Sequence, residues 1–217
     1  MPRTVDLSRP LETGMPHART IQAPEFTPTS TWADDRMRVM RLNIPTHIGT
    51  HVDAPSHFVE DGATLDQVPV STLVGRAYCI EVLRDDPVPI TAADLKSAVD
   101  LEPGDALLIR TGWDDRYGEP AYVDSHPYLA VDAARWAVDT GLRLIGMDTI
   151  SPDLPMSMRP ANFPYDVHRT LLGAGMLIVE NLVLREIADR WSTLFVGVLN
   201  VSGGDGAPAR ALAVLDD

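Results

Sequence analysis

The sequence predicts one mixed α/β domain over residues 1–217, with strands outnumbering helices. Three observations carry this. Short apolar or alternating runs of strand length recur along the chain, fewer stretches have helical periodicity and caps, and the two kinds are interspersed with no dividing linker.

Taken in order, 40–44 alternates apolar and polar residues, as a half-buried strand does. The run 77–83 alternates less cleanly. The stretches 106–110, 142–147, 176–180 and 193–201 are short, mainly apolar runs, as for buried strands, and 209–215 reads as a last strand. Among helices, Thr91 is placed to cap 92–99 with Asp94 answering it. Asp132 is placed to cap 133–140, with Gly141 ending it, and Asp166 to cap a helix from 167 to about 172. Leu184, Ile187, Ala188 and Trp191 fall at i, i+3, i+4, i+7, one face of a short helix. Residues 20–36, with Pro24 and Pro28, read as a long covering loop, and the Pro- and Met-rich stretch 151–164 as a second lid or an ordered connection.

Composition excludes several classes. There are 18 basic and 31 acidic side chains, a formal charge of −13, which repels nucleic-acid phosphates. No apolar run has the ~18 to 20 residues of a membrane span. The first residues lack the apolar stretch of a secretory signal, so a cytoplasmic location is expected. Cys79 is the single cysteine, so a metal would be held by His and carboxylates.

Three of the six histidines, His47, His51 and His57, fall within eleven residues, together with Asp53. A lone histidine is more often structural than a ligand, but burying this group unpaired would be costly. Pro45, Gly49 and Pro55 disfavour a helix here. In an extended chain all four side chains share one face, and His51 and Asp53 lie roughly 7 Å apart at Cα, close enough to share an ion. His47 would lie roughly 13 Å from His51. Either the chain bends at Gly49, or His47 serves a second ion. Further ligands must come from elsewhere. The candidates are His168, in the first turn of its helix, and Glu180, which ends an apolar strand and needs a base or cation as partner. His17 and His126, each beside a proline, read as surface residues.

The run His47-x-Gly49-Thr50-His51-x-Asp53-x-Pro55-x-His57 resembles the motif of the metal-dependent cyclase family, which includes bacterial kynurenine formamidases and isatin hydrolases. Weaker matches follow in the family's order: Val5-Asp6-Leu7-Ser8 with Gly14-Met15-Pro16, Leu108 to Trp113, Ile145 to Thr149 with Ser151 and Asp153, and His168 followed by Glu180-Asn181-Leu182. The resemblance implies a swivelling β/β/α fold and a homodimer or homotetramer with sites near subunit contacts. It implies His47, His51, Asp53, His168 and Glu180 as metal ligands, Asp53 able to bridge two ions, and His57 as general acid/base. It implies one or two divalent ions per chain, zinc as in the formamidases or manganese as in the isatin hydrolases.

The expected activity is hydrolysis of an amide C–N bond in a small molecule by metal-activated water. An aryl formamide such as N-formylkynurenine, a substrate of tryptophan catabolism, fits best, with Trp32 of the covering loop as a substrate contact. The alternatives are a cyclase or a cyclic amide, imide or lactone hydrolase of the same family, a metal-binding protein without catalysis, and a cupin-like iron oxygenase.

Overall fold

In the computed structural model, which describes residues 2–85, 87–96 and 99–215, the strands are β1 (Arg3–Asp6), β2 (Glu25–Ser30), β3 (Val39–Asn43), β4 (His51–Asp53), β5 (Val74–Glu81), β6 (Pro89–Ile90), β7 (Ala106–Arg110), β8 (Tyr128–Leu129), β9 (Leu144–Met147), β10 (Leu177–Glu180), β11 (Arg190–Val198) and β12 (Gly206–Leu215). The helices are α1 (Trp32–Asp35), α2 (Ala92–Lys96), α3 (Val131–Thr140) and α4 (Asp166–Gly173), joined by several 3₁₀ turns. Among the described residues no helix is long and apolar enough to cross a membrane.

The main sheet runs β1-β12-β11-β5-β7-β9-β10-β4, and β4 also pairs with β12. That second pairing closes β12, β11, β5, β7, β9, β10 and β4 into a mixed seven-stranded barrel. The long strand β12 serves two neighbours on one edge: Gly206 to Pro208 face β4, and Leu212 to Leu215 face β1. The pairs β5–β7, β7–β9 and β9–β10 are parallel. Parallel strands are covered on both faces, which is why these segments read as continuous apolar runs.

Alternate residues of these strands enter two cores. Val52, Ala106, Leu108, Leu144 and Val179 pack with residues of β11 and β12 inside the barrel. Leu107, Ile109, Ile145, Met147 and Ile178 pack outward against Ala133, Ala134 and Ala137 of α3 and Val167, Leu171 and Leu172 of α4. Because Ile178 pairs with Asp53 and Glu180 with His51, the side chains of His51, Asp53 and Glu180 share the outward face. The barrel wall therefore presents them toward α4.

The strand expectations hold with shifted ends, and several helical ones need correction. Helix α2 is seen from Ala92 to Lys96; Ser97 and Ala98 of the expected 92–99 lie outside the described residues. Asp94 accepts from the Thr91 backbone N–H at 2.8 Å, as its spacing suggested. Asp132 does not cap α3, whose N-cap is Ala130; its carboxylate accepts from Ala92 N at 3.3 Å and ties α3 to α2. Gly141 ends α3 with φ 76°, as expected. Asp166 is the first residue of α4 rather than its cap. The i, i+3, i+4, i+7 pattern from Leu184 forms only the 3₁₀ turn Arg185–Ile187, and Trp191 belongs to β11, because β5 offers that segment a strand partner. Residues 20–36 are no simple loop: they contain β2 and α1, and β2 pairs with β3 as an arm. The alternation in 40–44 does mark a strand, yet every residue of β3 is exposed within the single chain.

Candidate metal centre

The chain does bend at Gly49, which has φ +58°. A Cβ there would also stand 2.8 Å from Leu11 Cδ2 and 2.9 Å from Met15 Cε, side-chain ends that would have to shift, so the positive φ is the main reason for glycine here. Of the two alternatives the bend is the one seen, and the extended part is short: only His51–Asp53 is strand, and His57 sits on the 3₁₀ turn Pro55–His57. The bend folds the His47 ring back over β4, where its Nδ1 lies 2.7 Å from Asp53 Oδ1. Gly206 makes room for it, because a Cβ at 206 would come within 2.7 Å of His47 Cε1 and 2.5 Å of the Val52 carbonyl.

His51 and Asp53, two apart on β4, point the same way as expected, with Nε2 and Oδ1 3.3 Å apart. Glu180 stands beside them across the β10–β4 pairing, its Oε2 3.4 Å from His51 Nε2. His168 approaches from α4, its Nε2 3.5 Å from Asp53 Oδ2 and 3.4 Å from Glu180 Oε1. Residues more than a hundred positions apart thus meet, all four side chains being nearly inaccessible to solvent.

The ring orientations are fixed from behind. His51 Nδ1–H donates to the Gly49 carbonyl at 2.8 Å, and that carbonyl also accepts from Asn181 Nδ2 at 3.0 Å. His168 Nδ1–H donates to Asp153 Oδ2. Asp153 also accepts from the Val167 and His168 backbone N–H groups at 3.3 and 3.4 Å, so it does the capping that Asp166 does not. With both Nδ1 atoms occupied as donors, the two Nε2 atoms face the carboxylates.

This donor set fits a divalent ion. Two donors each about 2.0–2.2 Å from a tetrahedral ion stand about 3.4 Å apart, and the four His–carboxylate separations just given are 3.3–3.5 Å. Asp53 Oδ2 is buried and without a hydrogen-bond partner among the described residues, as a carboxylate oxygen reserved for a cation would be. His47, His51 and Asp53 converge tightly enough to share an ion, as do Asp53, His57 and His168.

His47 and His57 differ electrostatically. Burial by itself would lower His47, but hydrogen bonds to Asp205 and Asp53 hold it up at about 10. Its Nε2 lies 3.0 Å from Asp205 Oδ2. His57 stacks on His47 with ring centroids 3.7 Å apart, and burial pushes it down to about 4, so it is a neutral imidazole at pH 7. Its Nδ1 is 3.5 Å from the same Asp205 oxygen. Asp205 was missed in the sequence because it lies 158 residues from His47, in a turn whose glycines and aspartate read as an ordinary loop. Asp153 and Asn181 were matched as sequence but carried no role.

One cavity opens onto the cluster. It is lined by Phe58, Ser151, Met156, Arg159 and Tyr165, and also by His17 and His126. The surface reading of these two histidines is therefore corrected. His17 is partly buried, with Nδ1 3.0 Å from the Met15 carbonyl. His126 is 1% exposed, and burial lowers it to about 4. Stretch 20–36 reaches the cavity only through Thr20 and Ile21. Trp32 does not line it within one chain: it is 57% exposed on α1, in a separate groove with Pro28 and Met40.

His126 gives a pH prediction. Its folded pKa is depressed, so its stabilising effect is complete above about 6.5 and fades as pH falls through about 4. The full difference is about 3 kcal/mol. Urea unfolding at pH 7 and pH 5 should show His126→Gln losing less stability between the two than the parent. Equal losses would mean that the folded protein protonates His126 freely.

Comparisons with known proteins identify the family. The family described as "Putative cyclase" matches residues 5–154. A kynurenine formamidase of Bacillus cereus is 32% identical over 214 residues, covering 96% of this chain and 95% of its own, and one of Bacillus anthracis is 31% identical over the same length. Among solved structures, a "potential metal-dependent hydrolase with cyclase activity" superposes with TM-score 0.83 at 28% identity, covering 100% of both chains. A "predicted metal-dependent hydrolase" from Bacillus stearothermophilus gives 0.81 at 27% identity, covering 99% of this chain and 98% of its own. Isatin hydrolase A from Ralstonia solanacearum shares the fold, with TM-score 0.88 at 22% identity, covering 99% of this chain and 92% of its own. With the family matched over most of its length and relatives aligned end to end, this chain belongs to the cyclase family.

Proposed function

We propose that the protein is a metal-dependent amidohydrolase that cleaves the C–N bond of an aryl formamide such as N-formylkynurenine. The observation that carries the reading is the set of His–carboxylate separations of 3.3–3.5 Å around the orphaned Asp53 oxygen. The 32% identity to a kynurenine formamidase supports the substrate. His47, His51, Asp53, His168 and Glu180 hold one or two divalent ions, zinc or manganese. Bound there, such an ion lowers the pKa of water and polarises a carbonyl. His57, neutral at pH 7, takes a proton from the attacking water and returns it to the departing nitrogen, leaving formate and a free arylamine. Asp205 holds the His57 and His47 rings in register, and Phe58 against His168 (4.6 Å between centroids) gives the cavity an aromatic wall for the substrate ring.

The barrel with helices on its outer face is assigned, in the same proposal, to the swivelling β/β/α architecture. A homodimer or homotetramer is also part of it, because Trp32, Met37, Val39, Met40 and Leu42 each expose about half their surface on the β2–β3 arm. Trp32 would contact substrate only where the arm of one copy lies over the cavity of another. Ring opening of a cyclic amide by the same donor set is the second reading, and isatin hydrolase A shares this fold.

The experiment is metal analysis of purified protein followed by an amide panel. We expect about one or two divalent ions per chain and formate release from N-formylkynurenine that a chelator abolishes and added metal restores. Full metal occupancy with no turnover of any amide, lactone or imide would leave a metal-binding protein instead.

A further inference from the structure

The cavity before the donor cluster has a permanent cation in its wall. Arg159 is the only arginine or lysine among the residues that line it. Its Nε donates to the Leu154 carbonyl at 2.6 Å and its Nη2 to Ser151 Oγ at 3.4 Å. Its Cζ lies 4.9 Å from the Tyr165 ring centroid and 5.1 Å from that of Phe163. These contacts hold the guanidinium without neutralising it.

No carboxylate pairs with Arg159 among the described residues. Arg76, Arg84, Arg110 and Arg210 sit on Asp105, Asp94, Glu81 and Asp6, whereas Arg159, like Arg169, is held by neutral groups, and of the two only Arg159 lines the cavity. The acids of the cavity itself, Asp53 and Glu180, are engaged with the histidines. A guanidinium has five N–H donors in a planar fork suited to a carboxylate, and only two are used here. Tyr165, 5.0 Å from Phe58, continues the aromatic wall from His168 toward Arg159.

We propose that Arg159 binds a carboxylate on the substrate, at the end remote from the bond that is cut. The substrate class is then an aryl amide bearing a carboxylate side chain, and not a neutral aryl amide. This rests on the amidohydrolase reading and narrows it.

The test is calorimetry on the metal-loaded protein with L-kynurenine and its methyl ester, which masks only the carboxylate. The free acid should bind about 10- to 100-fold more tightly than the ester. Arg159→Met should abolish that difference with metal content and ester binding unchanged. In kinetics, the same variant should raise KM for N-formylkynurenine by a similar factor, with kcat within a few fold and formanilide hydrolysis unaffected. Acid binding no tighter than ester binding overturns the proposal, and so does an Arg159→Met that weakens both ligands alike, which is the signature of a structural wall. An acid–ester difference without any amide turnover would sink the hydrolase reading while sparing the anion site. Turnover of charged and neutral formamides with equal KM would do the reverse.

Discussion

Replacing His57 by Ala leaves the metal content of the protein unchanged and lowers kcat by about 10²- to 10⁴-fold, the range that a positioned acid/base supplies. The expectation comes from where this imidazole stands. It is stacked on His47, faces Asp205 at 3.5 Å, and lies outside the ring of short His–carboxylate separations made by His51, Asp53, His168 and Glu180. Burial holds it at about 4, so the base form is the resting form at neutral pH. A divalent ion nearby would push it the same way. Metal analysis beside steady-state kinetics decides the point, since His57 also stands close enough to Asp53 and His168 to share an ion with them. Loss of metal in His57→Ala would make it a ligand and leave the proton transfer without an agent. Added imidazole should restore part of the activity of a true acid/base deletion.

Much of this candidate site was legible because the eleven residues from His47 to His57 supply four of its side chains, His47, His51, Asp53 and His57, in one stretch. His51 and Asp53 follow strand period, and Gly49 marks the bend that brings His47 round. Glu180 could be suspected because a carboxylate closing the apolar run of β10 needs a partner, and the partner is there. The parts that stayed hidden are long-range. Asp153 caps α4 and orients His168 from a loop fifteen residues away, and local rules assign that cap to the nearest aspartate, Asp166. Asp205 acts across 158 residues on an imidazole whose neighbours in sequence give no hint of it. The buried state of His126 was missed for the same kind of reason: an adjoining proline signals a turn, but not which side of the turn the solvent is on.

The fold shows the same division. Continuous apolar runs identified the parallel strands, since burial on both faces removes alternation. Barrel closure was invisible, because it depends on the three-residue strand β4 pairing with both β10 and β12. The arm shows the limit of hydrophobic patterning: β3 alternates as a half-buried strand should, but its apolar side has no cover within one chain.

Asp53→Asn is the substitution expected to do most damage to metal binding. Asp53 is almost fully buried and offers Oδ1 to His47 and His51 and Oδ2 to His168. Burial alone would raise its pKa, but the imidazoles of His168, His47 and His51 beside it hold it well below the usual carboxylate range. The amide keeps the shape and loses the charge, so one oxygen of the shared carboxylate becomes an NH₂ pointing at an imidazole. Changes behind a ligand typically weaken metal affinity about 10- to 100-fold; loss of the central carboxylate should exceed that, leaving dialysed Asp53→Asn nearly metal-free and inactive. Thermal unfolding gives a second readout that needs no substrate. A ligand at 100 times its Kd stabilises by about 2.7 kcal/mol, worth roughly 5–11 °C in a chain of this size. Zinc or manganese should raise the parent's Tm by that order and leave Asp53→Asn within about a degree, with far-UV circular dichroism confirming that the variant is folded. If folded Asp53→Asn keeps both its metal and its activity, the ion is held elsewhere and the donor cluster on β4, β10 and α4 is not the catalytic centre.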